Sequence, residues 1–162
     1  MTTVSRIGWT AYLIATVVLA LDQASKYWIM QILRLPEYAT QEVLWPLQLT
    51  RIWNRGVSFG LLQAGNDFVR WGMVAFSLGV ALLLINWVRK GQIRMLAAVG
   101  YGMLIGGAIG NAIDRAIFGA VIDFVDVSRL GFFPWIFNVA DAGITIGVIL
   151  FLLDSLRGEP RT

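Results

Sequence analysis

The segment FNVADAGITIGVIL, residues 137–150, decides the class of this chain. Most of it is an apolar run suited to hydrocarbon, yet its start carries Asn138 and Asp141. An ionisable side chain inside a membrane span is costly, and is a functional candidate by default. Asp141 stands near the membrane interface with no obvious partner within its own helix.

Working outward, three uncharged runs stand out: Ile7 to Leu21, Trp71 to Val88 and Met95 to Ile113. A fourth, Leu130 to Leu153, has Asp141 as its only charge. A spanning helix needs about 20 apolar residues to cross a core of about 30 Å. The runs therefore predict an all-α membrane protein with four transmembrane helices, over about 7–28, 69–88, 95–113 and 137–156. The outer segments are then about 29–68 and 114–136, and residues 1–162 form one integral membrane domain. The N-terminal run does not read as a cleavable signal, because DQASKYW follows it and no small-x-small site does.

Composition agrees. Of 162 residues, 57% are hydrophobic and only 14% charged, which favours the membrane class over a soluble domain. The chain has no cysteine, which removes disulfides and thiolate chemistry. It has no histidine either, which removes Ser-His-Asp catalysis and HExxH zinc sites. No metal or cofactor is expected. The net charge of +3 is small and the basic residues form no run, so no nucleic acid is expected as a partner.

Four spans put both termini on one side. The short segments 1–6, 89–94 and 157–162 carry Arg6, Arg89, Lys90, Arg94, Arg157 and Arg161. This basic density places them in the cytoplasm, so the two long connections face outward. In the first, LWPLQLTRIWNRGVSFGLL alternates in part at period two and has Asn54-Arg55-Gly56 as a turn. Short strands are expected there on the outer face, with Trp45, Trp53 and Phe59 at the membrane interface. Pro36 and Pro46 oppose a helix. The second connection is short and rich in glycine and aromatics.

Helices rise about 1.5 Å per residue, which puts Asp22 roughly 22 Å, and Asn111 about 24 Å, from the cytoplasmic end. Asn138 and Asp141 begin a helix that descends from outside. Asp123 lies in the outer connection, twelve residues after Asn111. Four segments thus deliver polar groups to the outer third of the bilayer. Asp22 and Lys26, and Asn111 and Arg115, are spaced i, i+4; Asn138 and Asp141 are spaced i, i+3, so each pair shares a helix face. Gly102, Gly106, Gly107 and Gly110 allow close helix approach.

Plainer roles compete. Asp22 with Lys26 reads equally as an interfacial ion pair. Asp114 reads as a solvated charge at a helix end, and Asp126 as a loop residue. Arg70, Arg89, Lys90 and Arg94 read as snorkelling side chains or topology determinants.

Two carboxylates in one low-dielectric site do not easily both ionise. Such a pair can activate water as a base and protonate a leaving amine as an acid. Asp123 and Asp141 are the candidates. Asn111 and Asn138 can bond backbone or substrate, and Arg115 can hold a carboxylate or a carbonyl. Peptide hydrolysis at the membrane surface fits this inventory.

At these residues the chain also resembles a known family. DQASK (22–26), NRGVSFG (54–60), GGAIGNAIDRAIFGAVIDF (106–124) and FNVADAGI (137–144) are similar to the motifs of the bacterial lipoprotein signal peptidases, signal peptidase II. The likeness covers nearly the whole chain in order, and its third and fourth motifs are specific. It implies an intramembrane aspartyl endopeptidase of the bacterial cytoplasmic (inner) membrane, active near the outer leaflet. The substrate would be a diacylglyceryl-modified prolipoprotein, cut just before the lipidated cysteine. The catalytic residues would be Asp123 and Asp141. Asp22, Lys26, Asn54, Gly56, Asn111, Arg115 and Asn138 would bind substrate or support the site. The outer strands would form a small β-rich cradle on the periplasmic face, with substrate acyl chains left in membrane lipid. A monomer is expected. Ser58 stands where the family's motif often has Ala, a small departure.

The rivals are a small four-helix ion-coupled transporter and an assembly subunit whose polar residues only bind helices together. A transporter predicts midplane carboxylates and inverted repeats. An assembly subunit predicts tolerance of Asp→Asn at both positions.

Overall fold

The computed structural model describes residues 4–56, 67–91, 93–131 and 135–157. Ser58 and Phe59 lie outside the described residues. In chain order the elements are α1 (Arg6–Tyr27), continued by a π turn (Trp28–Ile32), β1 (Thr40–Leu44), β2 (Leu47–Asn54), α2 (Asp67–Lys90), α3 (Met95–Phe118), β3 (Val121–Asp126), a 3₁₀ turn (Ser128–Leu130), β4 (Ile136–Phe137) and α4 (Val139–Ser155).

Local chemistry sets the helix ends. The Ser5 hydroxyl accepts from Gly8 N at 3.0 Å and satisfies one of the free amides that open α1. Asn138 caps α4 in the same way. At the end of α3, Gly119 turns left-handed with φ 76°. Arg70 of α2 then donates Nε to Arg115 O and Nη2 to Ala116 O, both at 2.7 Å. Arg70 is therefore not a snorkelling side chain. It satisfies terminal carbonyls of α3, where a cation also suits the helix dipole.

Among the described residues, three helices are long and apolar enough to cross a membrane: α1 with its π turn, α2 and α3. Helix α4 has 17 residues, a rise of roughly 25 Å. It starts at Val139, not 137, because Phe137 is in a strand and Asn138 is the cap. Helix α3 runs past residue 113 to Phe118, so the connection after it is shorter than expected.

Helix α3 is central, and α1, α2 and α4 all pack on it. A Cβ at Gly102 would lie 2.5 Å from Ala11 O of α1, and one at Gly107 would lie 2.5 Å from Ala140 O of α4. Only glycine permits backbones this close. Polarity is inverted relative to a water-soluble fold. Trp9, Leu13, Val17 and Leu21 form an exposed apolar stripe along α1, while Asp22, Lys26, Asn111 and Asp114 are buried. Such a surface suits hydrocarbon.

The sheet is antiparallel throughout, in the order β1-β2-β3-β4. It draws on both long connections, and not on the first alone. Strand β3 pairs with β2 through Gln48 with Asp126, Ile52 with Asp123 and Asn54 with Val121. Asn54 is thus the diagonal neighbour of Asp123 on one face. Ile29, Leu35, Ile122 and Phe124 form the core beneath the sheet, packed by Trp53 and Val139 among others. Trp45 is exposed on the β1–β2 hairpin. Trp53 packs against Phe118, with ring centroids 5.5 Å apart.

Asp126 belongs to this sheet, not to a loop. Its Oδ2 accepts from Thr50 Oγ1 at 2.6 Å and its Oδ1 from Ser128 N at 2.9 Å. Burial alone would raise its pKa. The bonds from Ser128 and Thr50, with the charge of Arg129, more than reverse this and leave it below the usual value.

Candidate active site

The site forms where β3, the C-terminal part of α3 and the N-terminus of α4 meet. Asp123 projects from β3 and is 1% exposed. Its Oδ1 accepts from Asn138 Nδ2 at 2.6 Å and its Oδ2 from Asn54 Nδ2 at 3.0 Å. Burial first, and then the nearby charge of Asp141, raise the Asp123 pKa to about 7. The two asparagine bonds and the Lys26 charge oppose that rise without cancelling it.

Asp141 is the third residue of α4. Its Oδ1 accepts from Asn111 Nδ2 at 2.8 Å and its Oδ2 from Asn138 N at 3.4 Å. Asn138 Oδ1 accepts in return from Asp141 N at 2.9 Å, which completes a reciprocal capping box. Asp141 therefore does have a partner in its own helix, one turn back at the cap. It is half-buried and lines an open cavity of about 400 Å³ with Trp135, Ile136, Phe137, Thr145 and Ile146.

Asn138 is fully buried and ties the pieces together. Besides Asp123, its Nδ2 reaches Ile122 O at 3.2 Å and Asn111 Oδ1 at 3.4 Å. Asn111 thus links α3 to both Asp141 and Asn138 at the start of α4. Asn54 also accepts from Gly56 N at 3.2 Å, which ends β2 in a tight turn. Gly56 has φ 149°, a conformation that side chains disfavour. Arg115 shares the helix face of Asn111, as its spacing predicts. Among the described residues its Nη1 donates to Asn111 O, at 3.4 Å, and it forms no ion pair.

Asp22 and Lys26 do not touch Asp123 or Asp141. They form a second cluster beneath the first and are 0% and 2% exposed, so they offer no surface to a ligand. Lys26 Nζ lies 2.7 Å from Asp22 Oδ2 and 2.8 Å from Asp114 Oδ2. Asp114 is consequently not a solvated charge; it is 1% exposed and ion-paired. Gln23 Nε2 lies 3.1 Å from Asp22 Oδ2 and 3.1 Å from Asp114 Oδ1. Asp114 and Gln23 are the members that sequence reasoning misses. The available signal was the position of Asp114 three residues beyond Asn111, on the same face if the helix continues.

In chemical terms, two carboxylates from different elements share one amide-lined site, one sealed and one beside an open cavity. That arrangement suits paired acid and base work.

Comparisons agree on a family. The model of the family described as Signal peptidase (SPase) II matches residues 14–157. A protein of Caulobacter vibrioides named lipoprotein signal peptidase is 52% identical over 157 residues, 96% of this chain and 92% of that one. One of the same name from Methylorubrum extorquens is 46% identical, over 88% of this chain and 83% of that one. Two solved structures described as bacterial membrane enzymes, determined in meso, superpose closely. One has a TM-score of 0.82 and 32% identity over 98% of this chain and 99% of its own. The other has a TM-score of 0.81 and 31% identity over 100% of this chain and 99% of its own.

Proposed function

The chain belongs to the signal peptidase II family, and on that premise we propose that it is an intramembrane aspartyl endopeptidase. Its substrates are diacylglyceryl-modified prolipoproteins, and it cuts the peptide bond just before the lipidated cysteine. Asp123 and Asp141 are the catalytic pair. The observation that carries this assignment is Asn138, which donates its side-chain amide to Asp123 and its backbone amide to Asp141. The two carboxylates are thereby tied to one residue and held in register. The transporter alternative is dropped, since the named relatives are peptidases.

The pair holds one proton between them. The raised pKa of Asp123 makes it the readier proton carrier near neutral pH. The ionised partner takes a proton from a water molecule as its oxygen attacks the scissile carbonyl carbon. The protonated partner gives its proton to the carbonyl oxygen, and a tetrahedral diol results. On collapse the C–N bond breaks, the newly protonated carboxyl delivers its proton to the departing cysteine amine, and the other carboxylate regains a proton from a diol hydroxyl. The pair ends as it began. Asn54, Asn111 and Asn138 orient the carboxylates, and Arg115 is placed to meet substrate backbone. Asp22 and Lys26 support the site from below.

All four helices cross the bacterial cytoplasmic membrane, with both termini inside and the sheet as a cradle on the outer face. The cavity beside Asp141 is lined mostly by apolar side chains. A lipid-borne substrate can reach it from the bilayer. The enzyme acts as a monomer without metal or cofactor. The test is cleavage by purified protein in detergent. A lipobox peptide with diacylglycerol on its cysteine should be cut before that cysteine, and its unmodified twin should not. Equal cleavage of both, or of neither, would remove the substrate assignment.

A further inference from the structure

We propose that Asp114 is a positioning residue that holds the Asp123 and Asp141 backbones in fixed relation through the buried cluster beneath them. This rests on the catalytic reading of those two aspartates. Asp114 Oδ2 accepts from Ile122 N at 3.3 Å, and Ile122 immediately precedes Asp123. Asp22 Oδ1 accepts from Ala140 N at 2.9 Å, and Ala140 immediately precedes Asp141. Lys26 bridges the two carboxylates at 2.7 and 2.8 Å. A continuous path of short polar contacts therefore runs from the peptide before one catalytic residue to the peptide before the other.

The path is built to be stiff. Asp22, Lys26 and Asp114 are 0%, 2% and 1% exposed. Gln23 braces the same two carboxylates from the side and also reaches Gly110 O at 3.4 Å. Gly110 leaves room for Asp22, since a Cβ there would lie 2.5 Å from Asp22 Oδ2. Strand β3 is gripped at one residue: the N–H of Ile122 goes to Asp114 and its C=O accepts from Asn138.

Stability alone is a poor reason for such a cluster. Two carboxylates around one ammonium pay heavily for desolvation, and apolar packing of similar volume is often at least as stable. What the cluster provides is short, directional contacts to two particular backbone amides. A shift of about 1 Å at a reacting group can cost about a hundredfold in rate.

The experiment compares Asp114→Ala, Asp114→Asn and Gln23→Met with wild type, as full-length protein in detergent, on the diacylglyceryl lipobox peptide. Asp114→Ala is expected to lower kcat about a hundredfold with KM within about threefold, because positioning acts on the reacting geometry. Asp114→Asn keeps an oxygen for Ile122 N–H and is expected to recover about tenfold over Ala. Lower yield or Tm with unchanged kcat per folded molecule would overturn the proposal, since that is a structural role only. If the Asp114 variants do not fold, Gln23→Met decides. It loosens the brace without removing a charge and should lower kcat several-fold at unchanged KM; wild-type kcat would overturn the proposal. Asp123→Asn and Asp141→Asn are run alongside. Activity in either of these defeats the catalytic reading and this proposal with it. An inactive Asp123→Asn beside a fully active Asp114→Ala defeats this proposal alone.

Discussion

Asn138 Nδ2 lies 2.6 Å from Asp123 Oδ1, a short side-chain bond between the cap of α4 and the central strand of the sheet. The same residue caps α4 by accepting from Asp141 N. One residue therefore starts a helix and, through its side-chain amide to Asp123 and its backbone N–H to Asp141, connects two carboxylates that lie 18 positions apart in sequence.

These two duties can be separated. Serine caps a helix about as well as asparagine, but it is too short to reach Asp123. Asn138→Ser should change stability by only about 1 kcal/mol while lowering kcat at least about tenfold. Thermal unfolding and peptide cleavage on one preparation check both. Wild-type kcat would leave Asn138 as a cap only.

The pH profile should carry a limb from Asp123. Its folded-state pKa, about 7, is raised above the unfolded carboxylate value of about 3.9. The protonated form is therefore favoured in the folded protein. The stability this contributes is full below the unfolded value and is lost as pH rises through the folded one. The proposed mechanism needs one protonated member, so kcat/KM should fall as pH passes about 7. The Asn54 bond lowers this pKa, so Asn54→Ala should slow cleavage and move the limb to higher pH. An unmoved limb would mean that Asn54 does not touch the titrating group.

Glycine packing sets the distance between α3 and α4. Gly107→Ala drives a Cβ against Ala140 O, next to Asp141, whereas Gly102→Ala drives one against Ala11 O of α1. Each should destabilise by about 1–3 kcal/mol. Per folded molecule, Gly107→Ala should lose far more activity. Equal losses would show that the α3–α4 contact does not set the site.

The proposed orientation rests on the basic bias and can be tested by labelling. A cysteine at Gln41 should react with a membrane-impermeant thiol reagent in intact cells lacking an outer-membrane barrier, and one at Lys90 should not. The reverse pattern would invert the topology.

Much of the site is legible in the sequence because helical arithmetic is reliable over a few turns. Asn111 and Asp141 meet as their depths predict, at 2.8 Å. Asp114 escapes because the apolar run ends at Ile113, while the helix continues to Phe118. Hydropathy marks where hydrocarbon ends and does not mark where a helix ends. Strand β3 escapes because VIDFVD is buried at five of its six positions, so it lacks the alternation of a half-exposed strand. The cap role of Asn138 was readable from Asn followed three residues later by Asp, a variant of the capping box. The apolar run that follows masks it, since hydropathy does not separate a cap from the span it opens.

The central claim is that Asp123 and Asp141 act as one catalytic unit. The direct measurement is prolipoprotein processing by purified Asp123→Asn, Asp141→Asn and the double variant, each shown to insert and fold. Each single change keeps shape and removes proton exchange, so each should lower the rate by about a thousandfold or more, and the double should cost little beyond either, since members of one unit are not additive. A single variant that processes substrate at close to the wild-type rate would contradict the claim.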